Sequence, residues 1–274
     1  MKARRSAAAA VAALMVLGLV GCGGASPDGR QDTPGAAGSS SQAATETWDL
    51  LVLADSSGWG VAEVWADLIR RDYGVEVKVH DFATGLQSGE GLLKHLTTEG
   101  DPQREAVREA EVISVWGSPA SMVWKSDLND CYMYPNGTRP PTRISRRDLE
   151  PYAEVWYDIL AEINFLRNGQ PTALRTRDIY NPVVANHIAA GTGAACTAGA
   201  WQMTLIVREA TRRAGGTFVP VYRTFNGPDG MQDARKRGHF MDMEHLSDKG
   251  VALIARLHHE AGYAELTQER PGPE

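Results

Sequence analysis

Residues 50–60 read Leu50-Leu51-Val52-Leu53-Ala54-Asp55-Ser56-Ser57-Gly58-Trp59-Gly60, an apolar run that gives way at once to small and polar residues. A short apolar run closed by turn residues is the pattern of a buried strand. Val61, Trp65, Leu68 and Ile69 follow at helical spacing, so the stretch predicts a strand, a tight turn and a helix in that order. Asp55 and the two serines then stand where a strand ends and a helix begins. In open α/β sheets ligands bind at the carboxyl ends of strands, and the free N–H groups of a helix start can receive a developing oxyanion. Gly58 and Gly60 let the chain turn tightly and leave room for a substrate. A small polar turn with a helix cap reads the same way, so residues 54–60 alone do not establish chemistry.

The alternation continues outward. Val75 to Val79 alternates as a short strand, Gly91 to Leu96 and Arg104 to Ala110 read as helices, and Val112 to Trp116 is a third strand ending at Gly117. Residues 118–147, rich in Asp, Asn, Pro and Gly, predict a long irregular loop of the kind that is commonly functional or mobile. Leu149, Tyr152, Trp156, Ile159, Ile163 and Leu166 then mark one face of a helix. Ala173 to Ile179 is a fourth strand, Trp201 to Ala214 a helix stopped by Gly215 and Gly216, and Thr217 to Val221 a fifth strand. The last helix starts after Ser247, an N-cap, and carries Val251, Ile254 and Leu257. This order predicts a single three-layer α/β domain with a five-stranded parallel sheet.

At the start of the chain, Lys2, Arg4 and Arg5 precede an apolar run from Ala7 to Val20. The run is shorter than the roughly 20 residues of a membrane-spanning helix and is built like a secretion signal. Its end, Leu19-Val20-Gly21-Cys22, resembles a bacterial lipobox, in which the signal is cut before the cysteine and the thiol is acylated. An ordinary signal peptide that holds a cysteine is the alternative. Residues 23–45 contain no large apolar side chain and are expected to form a flexible tether. The expected division is therefore a signal over residues 1–21, a tether over 22–46, a folded domain over 47–266 and a disordered tail over 267–274. The protein is then expected at the outer face of a bacterial cell membrane, held through lipidated Cys22.

Composition narrows the classes. The 274 residues are 43% apolar and 23% charged, with 28 Gly and 14 Pro, which excludes collagen-like, coiled-coil and wholly disordered chains. A net charge of −6, without a dense basic run after the first residues, argues against a nucleic-acid partner. Three cysteines are too few for a disulfide scaffold or a four-thiolate zinc site. Cys131 and Cys196 can pair in an exported protein, fastening the long loop to the turn before the Trp201 helix, or remain two separate buried thiols. Closing about 66 residues would stabilise by on the order of 4 kcal/mol, less any strain.

A second block of polar residues, Asp242-Met243-Glu244-His245-Leu246-Ser247, precedes the last helix. Asp and His three apart let a carboxylate reach the ring Nδ1 and leave Nε2 for a serine. Ala54-Asp55-Ser56 near one end of the domain and Asp242-x-x-His245 near the other together resemble the SGNH or GDSL hydrolase family, over Trp48 to about Leu266. The resemblance implies a flavodoxin-like fold and a serine hydrolase of esterase, lipase or deacetylase type. Carried over by position, Ser56 is the nucleophile, His245 the general base and Asp242 its orienting partner. Ser56, Gly85 and Gly117 are implied for the oxyanion hole; Gly85 is the better match for the second-block glycine, with Gly89 close by. The third block departs from the pattern: where the family has Gly-x-Asn-Asp, this chain has Gly117-Ser118-Pro119-Ala120. Loss of one oxyanion donor typically costs about 10²–10³ in turnover, and Ser118 or Asn129 would have to replace it.

The expected enzyme cleaves an ester through an acyl-enzyme, with no metal or organic cofactor. Its partners would be small esters, acyl lipids or acetylated glycans. The rival expectation is a binding or accessory lipoprotein on the same fold. Trp59 and Trp116 flank the site and would line a pocket or pack in the core. His239 is expected to serve loop structure, and His258-His259 to lie on the surface. Asn136-Gly137-Thr138 fits a glycosylation sequon, which carries little weight if the lipobox is bacterial.

Overall fold

The computed structural model describes residues 46–85, 87–118, 131 and 146–267, all within the unit Ala44–Glu274. Cys22, residues 23–45, most of the 118–147 stretch with Asn129 and Asn136, and residues 268–274 lie outside the described residues.

Five parallel strands form the sheet: β1 (Thr47–Leu53), β2 (Glu76–Asp81), β3 (Val112–Val115), β4 (Ala173–Arg177) and β5 (Thr217–Val219), in the order β2-β1-β3-β4-β5. Leu50 pairs with Val79 on one side and Val112 on the other, and Val115 with Thr176 beyond. This is the expected α/β class, and the order reverses direction between β1 and β3, which opens a crevice at their carboxyl ends. Leu50, Leu51 and Leu53 are wholly buried, as a central parallel strand requires.

The helices are α1 (Val61–Tyr73), α2 (Gly89–Thr97), α3 (Pro102–Glu109), α4 (Glu150–Arg167), α5 (Val184–Ala189), α6 (Gly193–Arg213), α7 (Val221–Asn226), α8 (Asp248–Glu260) and α9 (Ala264–Thr267). α1 packs on α8, while α2 and α3 pack on α4 and α4 on α6. Ser88, Asp101 and Ser247 cap α2, α3 and α8 by accepting from backbone N–H groups of the first turn, as expected for Ser247. No helix among the described residues is long and apolar enough to cross a membrane.

Several boundaries differ from expectation. The helix expected from Trp201 begins at Gly193, and the fifth strand stops at Val219 because Pro220 lacks an N–H and Val221 already opens α7. The fourth strand ends at Arg177, short of Ile179. His258 is not on the surface: it is fully buried under α8, where Nδ1 faces Ile254 O at 2.9 Å and Nε2 faces Ser114 Oγ of β3 at 2.9 Å. Burial pushes it down to about 3, so the ring is neutral, donating to the carbonyl and accepting from the hydroxyl. His259 pairs instead with Asp72 at 2.8 Å, so the two adjacent rings serve different neighbours.

Candidate active site

β1 ends at Leu53, and residues 54–60 turn across the carboxyl edge of the sheet. Ser56–Gly58 form one turn of 3-10 helix ahead of α1, so Ser56 does not open the α-helix itself. Asp55 caps that turn: Oδ1 accepts from Ser57 N at 3.0 Å and from Ser57 Oγ at 2.5 Å, while Oδ2 accepts from Trp116 Nε1 at 3.1 Å. Gly58 is required by space, since a Cβ there would stand 2.6 Å from Ala54 Cβ. Gly60 is required by conformation, with φ of +74°.

The two serines have different environments. Ser57 is buried, and its hydroxyl is held by Asp55 and by Arg177 Nη2, 2.7 Å away. Ser56 is half-buried, and neither its hydroxyl nor its N–H has a hydrogen bond among the described residues.

The second block is a bend rather than a helical turn. Phe240 and Leu246 bridge antiparallel, and Met241 N donates to His245 O at 3.0 Å. Inside this loop Asp242 Oδ1 accepts from Glu244 N at 2.9 Å and His245 N at 2.7 Å, leaving Oδ2 for His245 Nδ1 at 2.7 Å. The two backbone donors and then the imidazole hold the Asp242 carboxyl down to about 2. Tyr180 OH donates to Glu244 O at 3.3 Å and braces the loop from behind. His245 Nε2 has no hydrogen bond among the described residues, and none joins it to Ser56. The indole of Trp59, just past the serine turn, stacks on the His245 ring at 5.2 Å and 11°. This contact brings the Asp242–His245 pair against the turn that carries Ser56.

The chain after β2 supplies the opposite wall. Phe82 N donates to Val52 O and Thr84 N to Ala54 O, extending the β1 pairing until Gly85 comes beside the turn, with Trp59 Cζ2 3.9 Å from where its Cβ would be. Gly85 N has no partner among the described residues, whereas Gly89 N is bonded to Ser118 O at 2.9 Å. Of the two glycines, Gly85 therefore offers the free donor. Gly117 is buried, and a Cβ on it would meet Gly89 Cα at 3.2 Å, so close approach of two backbones explains the residue there. Trp116 is a wall of the turn, bonded to Asp55, rather than core packing alone.

Arg177, at the end of β4, was not marked by the sequence reading. The residue is 2% exposed, and its guanidinium lies 5.5 Å from the Trp116 ring centre. Burial pushes it down, with the Asp55 charge working against that shift. An arginine in a buried strand was the signal available.

His239 is buried against Phe225 with neither ring nitrogen bonded among the described residues, and its carbonyl accepts from Ser247 N at 3.0 Å. It serves the loop. Asp49, His80 and Glu109 bring ligand atoms within 4.8 Å of one another, but Lys78 Nζ stands 2.9 Å from Asp49 and 3.7 Å from Glu109, supplying the positive charge there itself. Cys131 and Cys196 form a disulfide, and the attachment is to the first turn of α6 rather than to a turn before it. With Ile179, Tyr180, Met203 and Tyr222 the disulfide walls an apolar cavity of about 40 Å³.

No protein-family model and no curated protein matches the chain. Among solved structures it is similar to the lipase Lip_vut3 from a goat rumen metagenome, at TM-score 0.59 and 16% identity over 79% of this chain and 98% of that one. It is also similar to a protein described as a GDSL-like lipase from Parabacteroides merdae, at 0.55 and 15% over 79% and 96%. A third is the acetyl xylan esterase AlAXEase, at 0.51 and 14% over 78% and 98%. The chain shares the fold of these lipase and esterase structures.

Proposed function

We propose that this chain of SGNH/GDSL hydrolase fold is an exported, lipid-anchored serine ester hydrolase. The observation that carries the reading is the Asp242–His245 pair, its imidazole stacked on Trp59, beside a turn in which the Ser57 hydroxyl is bonded and the Ser56 hydroxyl is not, among the described residues. Asp242 fixes the ring with Nδ1 bonded, so Nε2 is the nitrogen left to act as base. In the proposed reaction Ser56 Oγ attacks the ester carbonyl as His245 takes its proton. The tetrahedral oxyanion is received by the N–H groups of Ser56 and Gly85. Collapse expels the alcohol with the proton from His245 and leaves an acyl-serine. Water, deprotonated by His245, then releases the acid and restores the serine.

Exposed Trp59, stacked on His245, and exposed Met241, the chain neighbour of Asp242, offer apolar surface suited to the acyl part of an ester. Acyl lipids, small esters and acetylated glycans are the substrate classes we propose. Export and anchorage are proposed on the lipobox-like segment ending at Cys22.

The test is fluorophosphonate labelling of the purified full-length chain, with the adduct mapped by mass spectrometry. An adduct on Ser56 that disappears in Ser56→Ala and falls sharply in His245→Ala is expected. A folded protein that takes no adduct would overturn the hydrolase reading and leave a ligand-binding lipoprotein, recognised by thermal stabilisation with its ligand.

A further inference from the structure

An arginine removed from water is costly unless its charge and donors are matched. Arg177 is 2% exposed, yet no carboxylate touches it among the described residues: Nη2 donates to Ser57 Oγ at 2.7 Å and Nη1 has no acceptor. Among the described residues, its hydrogen bonds reach an acid through a relay. Ser57 Oγ accepts from Arg177 and donates to Asp55 Oδ1, and Trp116, whose ring faces the guanidinium, donates to Oδ2 of the same carboxylate. Arg177 ends β4, Trp116 follows β3 and Asp55 follows β1, and these strands are neighbours in the sheet. The relay therefore spans the carboxyl edge of the sheet from β4 to the serine turn.

Its effect on that turn is specific. Asp55 and Ser57 are the two chain neighbours of Ser56, and both are tied through side chain and backbone, while the Ser56 hydroxyl and N–H have no hydrogen bond among the described residues. With both neighbours pinned, the backbone of Ser56 is fixed, and with it the direction of its N–H and of the Cα–Cβ bond from which Oγ projects. We infer that Arg177 is a positioning residue for Ser56, acting through Ser57 and Asp55 to hold the nucleophile turn in its reactive geometry; this rests on the serine-hydrolase reading above. Misplacing a reacting group by about 1 Å can cost ~10²-fold in rate, so slack in this relay is a kinetic matter before it is one of folding. The relay also explains why the second of two adjacent serines is not a competing nucleophile: its hydroxyl is occupied on both sides.

The experiment uses the full-length chain carrying Arg177→Met, Ser57→Ala or both, with thermal unfolding recorded for each. Two quantities are measured: the second-order rate of fluorophosphonate addition at Ser56, and kcat and KM on a short p-nitrophenyl ester. The expected result is labelling ~10–100-fold slower in each single variant. A matching fall in kcat with unchanged KM is expected, and the double variant should be no slower than Arg177→Met alone. Ser57→Ala removes one hydroxyl and carries the test if Arg177→Met does not fold. Wild-type labelling and kcat in folded Ser57→Ala, or losses that multiply in the double variant, would overturn the inference. If the wild-type chain itself takes no adduct, the hydrolase reading fails first and the inference with it.

Discussion

Ser56 and Ser57 share a side chain and a turn and differ only in what surrounds them, which is where the chemistry of residues 54–60 is decided. The same holds for the glycines beside them. At Gly58 a Cβ would lie 2.6 Å from Ala54 Cβ and 3.2 Å from Ala83 Cβ, and neither atom can rotate away. Gly58→Ala is therefore expected to destabilise by about 1–3 kcal/mol through overpacking, a fall of roughly 3–10 °C in Tm, with slower labelling of Ser56. At Gly85 the nearest atom is a Trp59 ring carbon at 3.9 Å, so Gly85→Ala should melt within about 1–2 °C of wild type. Melting curves of the two variants check the pair together, and equal losses would contradict the packing described. The Asp242–His245 pairing was legible in the sequence because its partners are three residues apart. The Arg177–Ser57 bond was not, because it joins residues 120 apart that meet only once β4 and β1 share a sheet.

At the level of elements, the buried contact between α8 and β3 sets a pH dependence. His258 is held near 3 by burial, against about 6.5 for an unfolded imidazole. A lowered histidine contributes stability that is complete above about pH 6.5 and is lost as pH falls toward 3, because the unfolded chain takes up the proton first. Denaturant unfolding at pH 7 and pH 5 should show a loss in wild type that His258→Leu lacks, a difference of up to about 1 kcal/mol per pH unit. Parallel pH profiles would mean that the ring is not neutral and enclosed. Strands and long helices were legible because apolar runs and helical spacing write them directly. The start of α6 was not: Gly193-Ala194-Ala195-Cys196-Thr197-Ala198-Gly199-Ala200 has no large apolar side chain to mark a period. The short α5 and α7 offer too few residues to show one.

Over the whole molecule, the Cys131–Cys196 bond links positions 65 apart. Restricting that much unfolded chain contributes on the order of 4 kcal/mol before strain, so reduction, or Cys131→Ser with Cys196→Ser, should lower Tm by roughly 5–15 °C. Scanning calorimetry with and without reductant checks this, and an unchanged Tm would show that the bond restrains little. The order of the sheet was not read from the sequence pattern; it was implied by the family resemblance, because alternating elements leave several parallel orders open. That order leaves β2 and β5 as the two open margins. Glu76 and Lys78 charge the first, and the second is only three residues long and closed by Pro220, which has no N–H to offer. Copies tethered to one membrane, as proposed, would collide in two dimensions at high local density, where an unguarded strand invites a neighbour's to pair with it. A charged margin and a truncated one give such collisions little to extend, so crowding on the surface should not turn the sheet into a seed for aggregation.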